Sequence, residues 1–310
     1  MKKILLGLMV ASLLTTTGCD SSKTVIGILQ TADHSALDLA REGFISVLEN
    51  SKYKDEIKFE YHNALGNPSD MQTMSDSLLR KSDLLLGIGT TAAESLKASA
   101  LSKSKTTPIL FTAVTDPVEA HLVESNELPN THISGTTDMN PVEDQINLIK
   151  KILPDATKMG IIYTSNEINS EVQAKIAKQQ AIKEGLEVIV ATIDTAADIS
   201  SVCRSNFSDV DAVYVPTDNR LASNMPLLAQ SVDVPLICGE ASMVEAGGHL
   251  SLSIDYLKLG ELTGQMAIEI LDGADISKMA VRSLSSESYE LVINEEALND
   301  LGISVPEDLL

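Results

Sequence analysis

From Lys23 onward the chain alternates short apolar runs with stretches whose apolar residues recur every three or four positions, the patterns of buried strands and of helices packed on one face. The runs predict strands over 24–30, 57–62, 83–88, 108–112 and 133–136, with helices over 34–50, 69–80 and 91–101 between them. A second series follows, with strands over 158–163, 186–191, 211–215, 235–238 and 250–254 and helices over 141–152, 168–184, 197–206 and 221–231. Alternation of this kind means parallel sheets with helices on both faces, an α/β class of doubly wound, Rossmann-like units.

One stretch organises the rest: L-L-L-G-I-G-T-T-A-A-E-S from Leu84 to Ser95 reads as a buried parallel strand, a tight turn and a helix start at Thr90 and Thr91. The first N–H groups of a helix are unpaired and carry the positive end of its dipole, so a small anion can dock there. The alternative is that Thr90 is only an N-cap.

The two halves match each other. D-L-L-L-G-I-G-T from Asp83 answers D-A-V-Y-V-P-T-D from Asp211, and a strand-opening proline, Pro108 or Pro235, stands 25 residues on in one case and 24 in the other. Upstream, V-I-G-I-L-Q around Gly27 answers M-G-I-I-Y around Gly160. Two similar lobes account for this. Ligands of open α/β sheets bind outside the carboxyl ends of the strands, at the switch in strand order. Polar residues gather at those ends: Gln30, Thr31 and His34; Thr90 and Thr91; Thr112 to Pro117; Tyr163, Ser165 and Asn166; Pro216, Thr217, Asp218 and Asn219; Gly239 and Glu240.

Composition narrows the function. The chain has 310 residues, 44% of them apolar, with 23 basic against 44 acidic side chains and a formal charge of −21. That charge speaks against nucleic acid or an anionic membrane surface as a partner. Residues 1–18 read as a signal peptide: Lys2 and Lys3, an apolar run from Ile4 to Leu14, then T-T-T-G before Cys19. A cysteine directly after Gly18 resembles the bacterial lipoprotein box, which implies cleavage before Cys19, acylation of its thiol and a short tether over 19–23. Thr16 departs from that box, where an aliphatic residue is usual. Cys203 and Cys238 read as free and buried, and the five scattered histidines offer no metal-ligand spacing.

P-I-L-F-T-A-V-T-D-P (108–117), S-G-T-T-D-M-N-P-V-E (134–143), V-Y-V-P-T-D-N (213–219) and I-D-Y-L-K-L-G-E-L-T-G (254–264) together resemble the ABC-transporter substrate-binding proteins of the TrpX-like group. These are bacterial lipoproteins of the type I periplasmic-binding fold. The resemblance implies two lobes joined by three crossovers, near 135–139, 253–256 and 281–287, with lobe 1 over 24–136 plus 256–280 and lobe 2 over 140–252 plus 288–310. It implies a small ligand, with aromatic amino acids associated with the group, and a membrane permease and ATPase as partners.

A free amino acid brings a carboxylate and an ammonium, and a dry cleft must satisfy both. Thr90, Thr91 and Thr115 are the carboxylate candidates, because hydroxyls and a helix start donate without a full counter-charge. Asp218, Glu240 and Asp255 are the ammonium candidates; each could instead cap a helix or lock a crossover. Tyr163 and His34 could face the ligand side chain, with Gln30, Asn166, Thr217 and Asn219 completing the polar wall. No catalytic motif appears: there is no G-x-S-x-G and no Walker sequence, and G-I-G at 87–89 lacks the third glycine of a dinucleotide fingerprint. The reading is a non-enzymatic, cofactor-free receptor outside the cytoplasm that closes on its ligand. A ligand-sensing lipoprotein that signals to a membrane partner is the alternative.

The leader generates a first prediction. Cys19→Ala releases the protein from the membrane fraction and removes labelling by a radioactive fatty acid; persistent labelling would place the lipid elsewhere.

Overall fold

The structure, a computed structural model, describes residues 23–309, so the signal peptide, Cys19 and most of the tether lie outside the described residues. The first sheet is laid down by β1 (Thr24–Gln30), α1 (Ser35–Glu49), β2 (Ile57–Asn63), α2 (Pro68–Lys81), β3 (Leu84–Ile88), α3 (Thr90–Ser102), β4 (Ile109–Val114) and β5 (Ile133–Thr137). The second comes from α4 (Val142–Ile152), β6 (Lys158–Thr164), α5 (Ile168–Lys183), β7 (Glu187–Ile193), α6 (Ile199–Asn206), β8 (Ala212–Val215), α7 (Asn219–Ala222), α8 (Met225–Ala229), β9 (Leu236–Cys238), α9 (Ala241–Glu245) and β10 (Leu250–Ser253). The chain then returns through α10 (Tyr256–Leu271), which packs on α1, and ends with β11 (Glu290–Ile293) and α11 (Glu295–Asp300). It passes between the sheets after β5, after β10 and before β11. Among the described residues no helix is long and apolar enough to cross a membrane.

The strand orders are β2-β1-β3-β4-β5 and β11-β10-β9-β8-β6-β7. All pairings are parallel except β10 with β11. Strand β3 is buried along its whole length, as its run of leucines requires of a central strand covered on both faces. Each sheet has one apolar cluster on either side, Phe44 with Leu259 and Leu96 with Phe111 in the first, Ile146 with Ala177 and Phe207 with Leu228 in the second. Cys203 and Cys238 are free and buried in the last of these.

The matched residues of the two halves do matched work. Asp83 Oδ2 accepts the N–H of Val25 at 2.8 Å, and Asp211 Oδ2 accepts those of Thr157 and Lys158 at 2.7 and 2.9 Å, so each aspartate pins the start of its lobe's first strand. The prolines likewise serve as acceptors: Leu85 N–H donates to the Pro108 carbonyl and Val213 N–H to that of Pro235. Two local expectations change. The helix expected over 221–231 is two short helices, because Pro226 has no N–H to continue α7 and instead sits in the first turn of α8. The short helix α9 carries too few apolar repeats to register in the pattern.

Helices α1 and α10 touch backbone to backbone. A methyl on Gly260 would lie 2.0 Å from the Ala40 carbonyl oxygen, and one on Gly43 would lie 2.1 Å from that of Leu257. Only glycine permits so close a crossing. Gly260→Ala overpacks this contact and lowers stability by about 1–3 kcal/mol, visible as a melting temperature several degrees lower; an unchanged melt would mean that the helices separate freely.

Candidate functional site

In the first sheet the strand order reverses between β1 and β3, and in the second between β6 and β8. Loops leaving those four strands diverge and leave a crevice at each switch. A cavity of about 150 Å³ is lined from both: Thr31, Ala32 and Thr91 follow β1 and β3, and Asn166, Glu167, Asn219 and Arg220 follow β6 and β8. Leu65, Pro68, Met71 and Ala196 add apolar wall.

The helix that starts at each switch is treated differently. At α3, Gly89 stands at the N-cap with φ +87°, and a methyl there would meet Thr31 Oγ1 at 2.7 Å, so the backbone can pass close to that hydroxyl only as glycine. Thr31 Oγ1 accepts the N–H of Ala92 at 3.1 Å and donates to the Ile88 carbonyl. The N–H groups of Thr90 and Thr91 have no partner among the described residues, and neither has the buried Thr90 hydroxyl. At α7 the first three N–H groups all meet carboxylates: Asn219 at 2.9 Å and Arg220 at 3.1 Å from Glu167, and Leu221 at 2.9 Å from Asp218. One helix start is open to an anion. The other is already filled with negative charge.

Glu167 is buried beside Asp218, and its carboxyl is raised to about 7 by desolvation first and by the Asp218 charge second. Its Oε2 accepts three donors, from Asn219 N–H, Asn219 Nδ2 and Asn169 Nδ2, whereas Oε1 accepts only Arg220 N–H. The Asn219 amide thus presents Oδ1 across the cleft, where His34 Nε2 donates to it at 3.2 Å. Two more bonds span the lobes, from Ser223 Oγ to the Asp33 carbonyl at 3.1 Å and from Gln173 Nε2 to Thr115 Oγ1 at 3.2 Å. The lobes are closed on one another.

Behind the cavity the first crossover carries a buried ring. Asp138 accepts Tyr256 OH at 2.8 Å and Thr115 Oγ1 at 3.1 Å. Asn140 Nδ2 reaches Thr217 Oγ1 at 3.4 Å, that hydroxyl donates to Gln173 Oε1 at 3.1 Å, and Gln173 returns to Thr115. Burial raises the Asp138 and Glu240 carboxyls; the Glu240 charge adds to the rise at Asp138, and at the Tyr256 hydroxyl, raised first by burial, both charges push the same way. Among the described residues no group of three His, Cys, Asp or Glu side chains could hold a metal ion.

Of the residues expected at the ligand, the cavity brings together Thr91, Asn166 and Asn219; Thr90 precedes Thr91 at the same helix start, and His34 bridges the lobes. The others are spoken for. Gln30 is bonded within lobe 1 to Ala32, Asp38, Arg41 and Tyr61. Thr115 and Thr217 belong to the hinge ring. Tyr163 packs on the α4 and α5 side of its sheet. Glu240 caps α9 through Ser242 N–H, and Asp255 caps α10 and pairs with Lys258 at 3.0 Å. Asp218 takes three donors in its own lobe, the Thr164 N–H and hydroxyl and Leu221 N–H. Glu167, Arg220 and Thr31 are among the cavity residues that were not singled out for the ligand. Thr31 stood at a strand end, and Glu167 directly follows the S-N turn after β6, an acid at a helix start.

The geometry defines a class: two doubly wound lobes closing on a small, charged interior. Residues 25–310 match the family described as ABC transporter substrate binding protein, and the chain belongs to it. A tyrosine-binding protein of Clostridioides difficile (strain R20291) is 36% identical over 282 residues, which span 89% of this chain and 80% of the relative. The crystal structure of an ABC domain in complex with L-Trp from Streptococcus pneumonia matches with 35% identity and a TM-score of 0.88, over 93% of this chain and 97% of that one. The ligand-free, open structure of a substrate-binding protein with adhesive properties from Clostridium difficile, also 35% identical, gives 0.70 over 92% and 97%. At equal identity the better match is to the ligand complex, as the bonds across the cleft require.

The placement of Asp218 reverses one expectation. Asp218→Ala would strand buried donors on Thr164 and α7, so it should lower unfolding stability by about 3 kcal/mol, read from the denaturant midpoint of ligand-free protein. An unchanged midpoint with binding lost would return Asp218 to the ligand.

Proposed function

We propose that this protein is the extracytoplasmic receptor of an importer, held to the membrane through acylated Cys19, and that it captures a free aromatic amino acid by closure of its lobes for a permease and ATPase. The observation that carries the reading is the pair of unlike poles across one cavity, an unfilled helix start in lobe 1 and a carboxylate-filled one in lobe 2. A zwitterion, with a carboxylate at one end and an ammonium beside it, matches that pair; a sugar, with no formal charges, does not. The tyrosine-binding relative and the L-Trp complex support the choice of an aromatic side chain. In this chain the ring would rest on Leu65, Pro68 and Met71, where a thioether gives a favourable sulfur–aromatic contact.

In this mechanism the carboxylate takes the Thr90 and Thr91 N–H groups, and the ammonium takes Glu167 Oε1, the oxygen with room for another donor. Ligand on one lobe meets the other only after hinge rotation, so differential affinity shifts the population to the closed form. Closed lobes then present one shape to the permease.

The raised Glu167 carboxyl makes the reading testable by pH. An ammonium beside it favours the ionised form, so binding near pH 7 expels a proton, and affinity falls as pH drops from 8 toward 5.5 because proton and ammonium compete. Calorimetry with L-tryptophan and L-tyrosine in buffers of different ionisation enthalpy measures the released proton. Binding with no buffer dependence and flat affinity would take the ammonium away from Glu167, and binding of neither amino acid would reject the function.

A further inference from the structure

Arg220 is a cation at the cavity whose side chain pairs with no acid among the described residues. Its backbone N–H is held by Glu167 at 3.1 Å and the residue lines the cavity with Thr91. Its Nε is buried without a partner, and its guanidinium makes no ion pair among the described residues. Arg41 and Arg282 are each paired instead, with Asp38 at 2.6 Å and Glu269 at 2.7 Å. In a chain with 44 acidic and 23 basic side chains, acids are the commonest charged neighbours. An arginine kept from them in a half-buried position leaves its Nε donor unsatisfied, a cost that persists unless something else supplies the acceptor.

We propose that Arg220 is the carboxylate clamp of this receptor: its guanidinium from lobe 2 and the first N–H groups of α3 from lobe 1 close on one ligand carboxylate. This rests on the amino-acid reading above and deepens it. The helix start supplies a partial positive charge and two fixed donors, and the guanidinium supplies a full charge and a planar fork that matches both carboxylate oxygens. The two belong to different lobes, so both engage only in the closed form. The clamp therefore makes the carboxylate the group that couples binding to closure, and it sets specificity for free acids over amides and esters. Glu167, which holds the Arg220 backbone, keeps clamp and ammonium site in fixed register.

The test is calorimetry of L-tryptophan, L-tyrosine and their amides with wild-type protein, Arg220→Gln and Arg220→Lys, together with the melting temperature of each ligand-free protein. Wild-type protein should prefer the free acids by at least about 100-fold, and Arg220→Gln should lose roughly 30-fold or more toward the acids with little change toward the amides. Arg220→Lys keeps the charge without the fork and should recover part of the loss. Melting temperatures should stay together, because the guanidinium holds nothing else. Equal losses for acid and amide, no loss at all, or a destabilised Arg220→Gln protein would overturn the clamp alone. Wild-type protein that binds neither amino acid would overturn the amino-acid reading and the clamp with it.

Discussion

Every helix that begins beside a cleft leaves N–H groups facing it, and the structure is organised by how two such starts are satisfied. In lobe 2 the first three donors of α7 are taken by Glu167 and Asp218. In lobe 1 the equivalent start, at α3, receives a single neutral acceptor from Thr31 and no carboxylate. The lobes share one topology, and even the aspartates and prolines that open their strands act alike. The difference at the switch points is therefore a difference of side chains on a common frame, and it turns two similar crevices into opposite poles.

Opposite poles govern what closure costs. Asp138, Glu167 and Glu240 are buried near the seam, and in each case desolvation raises the carboxyl. Closing without a cation keeps that penalty. The hydrogen bonds that His34, Ser223 and Gln173 make across the lobes are each worth about 0.5–1.5 kcal/mol net. A few kcal/mol of lobe contact set against buried negative charge is a balance that a ligand can tip, since moving a two-state equilibrium from 1:99 to 99:1 takes about 5.5 kcal/mol of differential affinity. In the proposed mechanism, an ammonium paired with Glu167 would contribute in that direction by offsetting the desolvation of its carboxyl.

The frame was legible because its signals are local. Apolar runs gave the strands, the Asp83 and Asp211 motifs gave the repeat, and strand ends gave the cleft. What failed is the assignment of carboxylates. Asp218, Glu240 and Asp255 stand in turns ahead of helices, and a sequence cannot say whether such an acid looks back at the helix's own N–H groups or forward into a cavity. In the structure all three look back. Glu167 leaves its own helix uncapped and caps α7 instead, 52 residues further along the chain, and no local pattern encodes that partner. Arg220 lay hidden for the same reason: that its Nε is buried without a partner among the described residues is visible only in the packing.

The hinge ring explains why the seam has a defined depth. Asp138 lies in the first crossover and Tyr256 at the second, so their bond at 2.8 Å ties two connections between the lobes together. Through Thr115 and Gln173 the same ring reaches a helix of lobe 2. None of these groups lines the cavity. Their bonds tie two crossovers to both lobes, whereas the residues at the switch points line the space between the lobes. A carboxylate already holding two hydroxyl donors in a dry site has little use for a third, and separation of the two networks follows: a ligand entering at the switch points meets poles that are unsatisfied, and a hinge that is not.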